Sequence, residues 1–325
     1  MRPVVVFHHS RIANLVGQLG SLAASLPSAK DLGVSTAPAR LRVGVVGAGR
    51  VGAALGAALA RAGHEVVAVS AVSTESLRRA ERMLPGVPIR AADEIAAIAD
   101  FVLLAVPDDA LRPLVTGLAA ADAWRSGQLV AHTSGAQGIG VLDAAAARGV
   151  LALALHPVMT FTGRSEDLDR IAGATFGVTS DEELRPVAEA LVVEIGAEPV
   201  WVPESARPMY HAALTVGSNH LVTLVNDAVS LLEGAGVEEP ARLIAPLLSA
   251  SLDNVLRLGD AALTGPVSRG DVATLSLHLQ TLTSSAPEAV AAYVAMARRT
   301  AERAHASGRL SDAQLDDVLH TLDQS

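Results

Sequence analysis

From Leu41 onward, short valine-rich apolar runs alternate with longer stretches in which apolar residues recur every three or four positions. The runs are LRVGVVG, EVVAVS, FVLLAVPDD, QLVAHTSG, VLALALHP, ATFGVTS and PVWVP, spanning positions 41–203. Nearly continuous apolarity over so few residues predicts strands buried on both faces. Helix-length segments between them, such as TESLRRAERML, predict βαβ units and a mostly parallel sheet. After Pro203 the alternation stops. The spacing then predicts helices over 207–235, 240–258, 271–282, 287–307 and 311–322, with Pro208, Pro240 and Pro287 near their starts and Gly234, Gly236, Gly259 and Gly308 near their ends. The expected fold class is therefore α/β, with an N-terminal parallel-sheet domain over 41–203 and an all-α domain over 204–325. Residues 1–40 mix Pro, Ser, Gly and Ala without a period and read as a disordered extension.

Composition narrows the function classes. The chain has 325 residues, 50% of them hydrophobic but only 2% aromatic, so Ala, Val and Leu must build the core. A net charge of -9 argues against the basic face that nucleic-acid binding requires. Cysteine is absent, which removes thiolate metal sites, disulfides and cysteine nucleophiles. No metal site is expected. No apolar run reaches bilayer length, and the first forty residues lack the order of a secretory signal, so a cytoplasmic protein with no membrane partner is expected.

The first strand leads into VVGAGRVGAALG, which contains the full G-x-G-x-x-G as Gly47, Ala48, Gly49, Arg50, Val51 and Gly52. Alone this pattern is weak. After a predicted strand and opening a predicted helix it acquires mechanical meaning: a tight turn at Gly47, backbone approach to a pyrophosphate at Gly49, and close helix–strand packing at Gly52. The parallel-sheet domain is thus expected to be a Rossmann-type nucleotide binder. NAD binding calls for an acid at the end of the second strand, where this chain reads Val69-Ser70-Ala71-Val72-Ser73. The missing acid favours NADP (NADPH) over NAD, with Ser70 and Ser73 as phosphate donors and Arg78 or Arg79 supplying charge.

Polar residues recur at three further strand ends. The segments are Val106, Pro107 and Asp108, with Asp108 polar; His132, Thr133 and Ser134; and His156, Pro157 and Thr160, with His156 and Thr160 polar. In an open α/β sheet such ends converge on one ligand crevice. On a regular helix His211, Thr215, Ser218, Asn219 and Asn226 fall within an arc of about 100°. Asp271, Thr274 and His278 share another helical face. The stretch ALTGPVSRGD reads as a turn whose Thr264, Ser268 and Arg269 turn chemistry leaves unexplained, while Asp271 caps the helix that follows.

Together HTSGA, HPVMTF, YHAALTVGSNHLV and LTGPVSRGD resemble the Rossmann-like and DUF2520 domain family. That family lies within the 6-phosphogluconate dehydrogenase-type superfamily, alongside pyrroline-5-carboxylate reductase and ketopantoate reductase. The resemblance covers 41 to about 320. It implies an oxidoreductase with a cofactor domain, a helical domain that forms a homodimer, and a small-molecule substrate site. The assignment that follows has His156, His211 and Asn219 catalytic, and Ser134, Thr160, Ser218, Thr264, Ser268, Arg269, Asp271 and His278 facing substrate. Several relatives protonate the substrate with a lysine, whereas the one lysine of this chain is Lys30. Histidine, with a pKa near neutrality, is the expected substitute. The leading expectation is reduction of a small keto or imino acid by hydride transfer, of which ketopantoate is one example. An F420-dependent NADP reductase and a non-catalytic dinucleotide-binding regulator stay open beside it.

Overall fold

A computed structural model describes residues 40–324. The expected extension, apart from Arg40, lies outside the described residues. Two compact units are present, the first ending at Thr215 and the second running Val216–Ser325. The first unit thus takes in the helix that follows the predicted boundary at Pro203.

All seven expected strands form: β1 (Arg42–Val46), β2 (Glu65–Ser70), β3 (Phe101–Leu104), β4 (Leu129–His132), β5 (Leu151–Pro157), β6 (Thr175–Ser180) and β7 (Glu198–Trp201). They make one sheet of order β2-β1-β3-β4-β5-β6-β7. The first five are mutually parallel, β6 runs antiparallel to β5, and β7 is parallel to β6. The helices of this unit are α1 (Arg50–Arg61), α2 (Thr74–Met83), α3 (Ala92–Ile98), α4 (Asp108–Ala120), α5 (Asp143–Ala146), α6 (Glu166–Ile171), α7 (Arg185–Glu194) and α8 (Arg207–Thr215). Alternate strand residues point to opposite faces, which divides the core in two. Val43, Val45, Phe101 and Leu103 join one cluster with α1 and α7, and Val102, Leu104 and Val130 join the other with α3 and α4.

The second unit contains α9 (Leu221–Gly234), α10 (Pro240–Leu258), α11 (Pro266–Arg269), α12 (Val272–Ser285), α13 (Pro287–Ala306) and α14 (Asp312–Asp323). Its core gathers Val267, Leu275, Leu279, Ala301 and Val318. Two expectations need correction here. The stretch read as a turn between helices holds one turn of helix, α11, closed by Gly270 in the left-handed region at φ 70°. The helix expected over 207–235 is interrupted by a π-helical turn, Val216–His220. Such a turn inserts one residue and rotates everything after it by about 100°, so a regular-helix wheel does not give the directions of Ser218, Asn219 and Asn226 relative to His211. Among the described residues no helix is long and apolar enough to cross a membrane, and no group of His, Asp and Glu could hold a metal ion.

Candidate functional site

The glycine turn has the shape its sequence requires. Gly47 sits at φ 103°, and a Cβ there would lie 2.5 Å from the Ala105 carbonyl oxygen. A Cβ on Gly52 would lie 2.0 Å from the Gly47 oxygen, so α1 can pack on the turn only through glycine. At Gly49 the nearest atom is 3.9 Å away, which leaves the backbone open to a ligand. No side chain caps α1 and no acid stands in its first turn, so its N–H groups and positive dipole end remain for an anion. This cradle fits a dinucleotide pyrophosphate. Gly52→Ala is expected to reduce NADPH affinity at least tenfold, as read by fluorescence titration, because the turn and helix cannot both keep their places.

The serines expected beside the ribose are occupied. Ser70 Oγ accepts from the Gly47 N–H at 2.9 Å, which ties the end of β2 to the turn. Ser73 caps α2 by accepting from the Ser76 N–H. Arg78 is exposed, but Arg79 is buried and donates to the Ala48 carbonyl oxygen at 3.1 Å. At the end of β3, Val106 is half-buried and Pro107 and Asp108 are exposed at the start of α4.

At the ends of β4 and β5 a polar cluster forms that combines expected and unexpected residues. His132 is wholly buried; its Nδ1 accepts from the Ser134 N–H at 3.2 Å, so its Nε2–H donates to the Gly138 oxygen at 3.0 Å. Burial pulls its pKa down to about 4, outweighing the Gly138 hydrogen bond, and Arg207 and His156 lower it further. Both nitrogens are therefore spent on shaping the 132–138 turn. Thr133 is half-buried beside it, and Ser134 Oγ accepts from the Gln137 N–H.

His156 is half-buried, and its Nδ1 lies 2.8 Å from the Tyr210 hydroxyl. The two rings meet edge to face, as do the rings of His156 and His211, with centroids 5.6 and 5.9 Å apart. Burial first, then the charge of Arg207, brings the His156 pKa to about 4. The sequence reading that histidine supplies a proton through a near-neutral pKa is corrected here for His156, which is a neutral imidazole at pH 7. Burial pushes the Tyr210 hydroxyl up from its ordinary value, with Arg207 acting the other way, so it keeps its proton.

Two glycines admit this cluster. A Cβ on Gly135 would fall 2.5 Å from His211 Cδ2 and 2.9 Å from His156 Nε2. One on Gly177 of β6 would fall 2.3 Å from the Tyr210 oxygen. Beneath the ring lies Arg207, 0% exposed, its guanidinium 5.8 Å from the Tyr210 centroid. It makes four hydrogen bonds, to the Ser134, Ala154 and Gly177 carbonyl oxygens and to Thr179 Oγ1. A buried cation without a bonded carboxylate is held here by carbonyl and hydroxyl dipoles, and it places a positive charge under the phenol. Tyr210 and Arg207 were not anticipated from sequence. The available signal was scarcity: the chain has two tyrosines, and each bonds a histidine, Tyr210 to His156 and Tyr293 to His278.

Thr160 is exposed in the segment after β5. In the helical unit, Asp271 caps α12 by accepting from Thr274 N–H and Oγ1, and Ser268, buried, donates to the Gly265 oxygen. These bonds account for both residues structurally. Thr264 and Arg269 are exposed, Ser218 and Asn219 lie in the π-helical turn, and His278 pairs with Tyr293 at 2.8 Å.

Residues 27–157 match the Rossmann-like domain family, and residues 174–300 match a domain of unknown function, DUF2520. A search of the curated proteins found no match. Among solved structures, the chain is similar to a proposed NADP oxidoreductase of Bacteroides fragilis at 21% identity and a TM-score of 0.65, covering 81% of this chain and 98% of that one. A reductive aminase of Aspergillus terreus, solved with NADPH and ethyl-5-oxohexanoate, aligns at 15% identity and a TM-score of 0.55 over 88% and 93% of the two chains. A Plasmodium falciparum pyrroline carboxylate reductase with NADP bound aligns at 12% identity and a TM-score of 0.52, over 86% and 98%. At these identities the likeness is one of fold.

Proposed function

The chain belongs to the proteins that join a Rossmann-like domain to a DUF2520 domain, and from that premise we propose that it is an NADP-dependent reductase of a small keto or imino acid. The observation that carries this reading is placement. The glycine turn after β1 and the His156–Tyr210 pair lie at the carboxyl edge of the same parallel strands. Three strand spacings separate β1 from β5, about 14 Å, a span suited to the nicotinamide half of a dinucleotide followed by a small substrate. The fold neighbours solved with NADP or NADPH agree with this choice of cofactor.

In this mechanism the bound nicotinamide supplies a hydride. The turn Gly47–Gly52 and the amides of α1 hold the pyrophosphate. Tyr210 gives its hydroxyl proton to the substrate heteroatom that gains negative charge, the role a lysine fills in other reductases. His156, neutral, donates from Nδ1 to the phenolate oxygen left behind, and Arg207 stabilises that oxygen through space. His211 flanks His156 edge to face. Arg269 in the helical unit carries an exposed planar fork of the kind that matches a carboxylate.

Homodimerisation through the helical unit belongs to the same reading. None of the residues of α9 and α10 is buried within the chain, and Leu243, Leu247 and Leu256 are 60%, 64% and 78% exposed. The test of function is NADPH oxidation, followed by absorbance, across a panel of cyclic imines, reductive amination pairs and 2-keto acids. Turnover of at least one class is expected. Tight NADPH binding with no oxidation across the panel would replace the reductase by a dinucleotide-binding regulator.

A further inference from the structure

The segment after β5 does not stay with its own strand. Residues 158–165 lead to α6, and their far end meets the first helices of the sheet. Asp167, 0% exposed, holds this strap by accepting from the N–H groups of Thr162 and Gly163 and from the Thr162 hydroxyl, at 3.1, 2.7 and 2.9 Å. Gly163 takes φ +77°, and a Cβ on it would lie 2.8 Å from Arg79 Nε and 3.1 Å from Arg50 Cγ. Arg82 of α2 donates to the Gly163 carbonyl oxygen at 2.9 Å. Strap, α1 and α2 are thereby joined beside the glycine turn.

Between α2 and the strap lies a pocket of about 460 Å³. Arg78, Arg79 and Arg82 line one side, and Thr162, Arg164 and Ser165 the other. Glu75 and Glu166 also border it, but Glu75 is paired with Arg79, so the lining keeps a positive excess. Arg79 is 7% exposed, and its Nε is a buried donor with no hydrogen-bond partner. That atom is closed to solvent against Gly163; the guanidinium groups a ligand in the pocket can reach are those of Arg78, Arg82 and Arg164, all exposed.

We propose that this pocket binds a phosphate monoester, and that the strap, with α2, selects the 2′-phosphate of the cofactor's adenosine ribose. The second half of this rests on the NADP reading above. The location supports it, since Arg79 touches the glycine turn through Ala48. The chemistry supports it too: Ser70 and Ser73 are engaged elsewhere, and arginine forks match phosphate oxygens. Selection between NADP and NAD is then made largely by residues that follow β5, three strands from β1 along the same carboxyl edge, Thr162 to Ser165, together with the α2 arginines.

Calorimetric titration of the full chain tests this without recourse to activity. The probes are NADPH, NADH, adenosine 2′,5′-bisphosphate, adenosine 5′-monophosphate and inorganic phosphate. The intact protein is expected to bind the 2′-phosphorylated member of each pair about tenfold more tightly or better. Arg78→Ala/Arg164→Ala, which removes two exposed side chains, is expected to shrink that gap to about threefold or less while leaving NADH binding unchanged; Arg82→Ala serves as the second variant. A gap that persists in both variants overturns the proposal. Equal binding of NADPH and NADH by the intact protein overturns it while leaving a dinucleotide-dependent reductase standing. If neither dinucleotide binds, the NADP reading itself has failed. Variant-sensitive binding of inorganic phosphate then retains a phosphate site with another source, and its absence overturns the pocket altogether.

Discussion

Tyr210→Phe is expected to lower NADPH-dependent turnover by about 10²–10⁴-fold while leaving the Kd for NADPH within about twofold. The substitution removes one oxygen and leaves the ring in its place against Gly177, so the fold has little reason to change. His156→Ala is expected to act in the same direction, and the double variant to cost little more than the worse single one, because the two side chains act as a unit. The pH profile separates this from histidine acid catalysis. With a pKa of about 4, His156 carries its extra proton in about one molecule per thousand at pH 7. An imidazolium acid would therefore make turnover climb tenfold per unit as pH falls from 7 toward 4. A tyrosine whose pKa burial has raised stays protonated, and the rate of reduction is expected to be flat from pH 6 to 8. Stopped-flow NADPH oxidation by Tyr210→Phe at the wild-type rate would remove Tyr210 from the chemistry.

Much of this arrangement is legible in the residues, and the division between legible and hidden has a physical basis. Short apolar runs announce strands, so all seven were readable, although β7 at the sheet edge is exposed on one face rather than buried on both; the glycine turn, whose geometry is local, was readable too. His156 was readable as a polar residue at a strand end. Its partner was not, since Tyr210 lies 54 positions away and meets it only because Gly177 of β6 leaves room for the hydroxyl. Arg207 looked like an ordinary first residue of a helix opened by Pro208. A cation there opposes the helix dipole, and that local disadvantage was the sign of partners elsewhere. The π-helical turn at Val216–His220 illustrates the opposite limit: a wheel drawn with a constant 100° step cannot detect an inserted residue. Ser73, His132 and Ser268 were plausible as ligand contacts by residue type, but each is engaged with backbone nearby in the chain.

The same buried imidazoles that limit the choice of acid are expected to make the protein labile to mild acid. His132 and His156 both have folded pKa values near 4 against an unfolded value near 6.5. Between those values the unfolded chain takes up a proton at each site and the folded chain does not, so stability falls as pH drops from about 6.5 and levels off below about 4. Above pH 6.5 both sites are neutral in either state and the contribution is fully present. For the wholly buried His132 the loss is on the order of 3 kcal/mol, with less for the half-buried His156. Carboxylates lose their own contributions mostly below pH 5, which leaves the interval from 6.5 to 5 as the histidine signature. Urea denaturation at pH 7.5, 6.0 and 5.0 measures it, and His156→Gln is expected to reduce the slope over that interval while His132 maintains the remainder. Stability unchanged between pH 7.5 and 5.0 would mean that these rings take up protons in the folded chain as readily as in the unfolded one. His156 would then regain the capacity to act as the acid that its depressed pKa denies it.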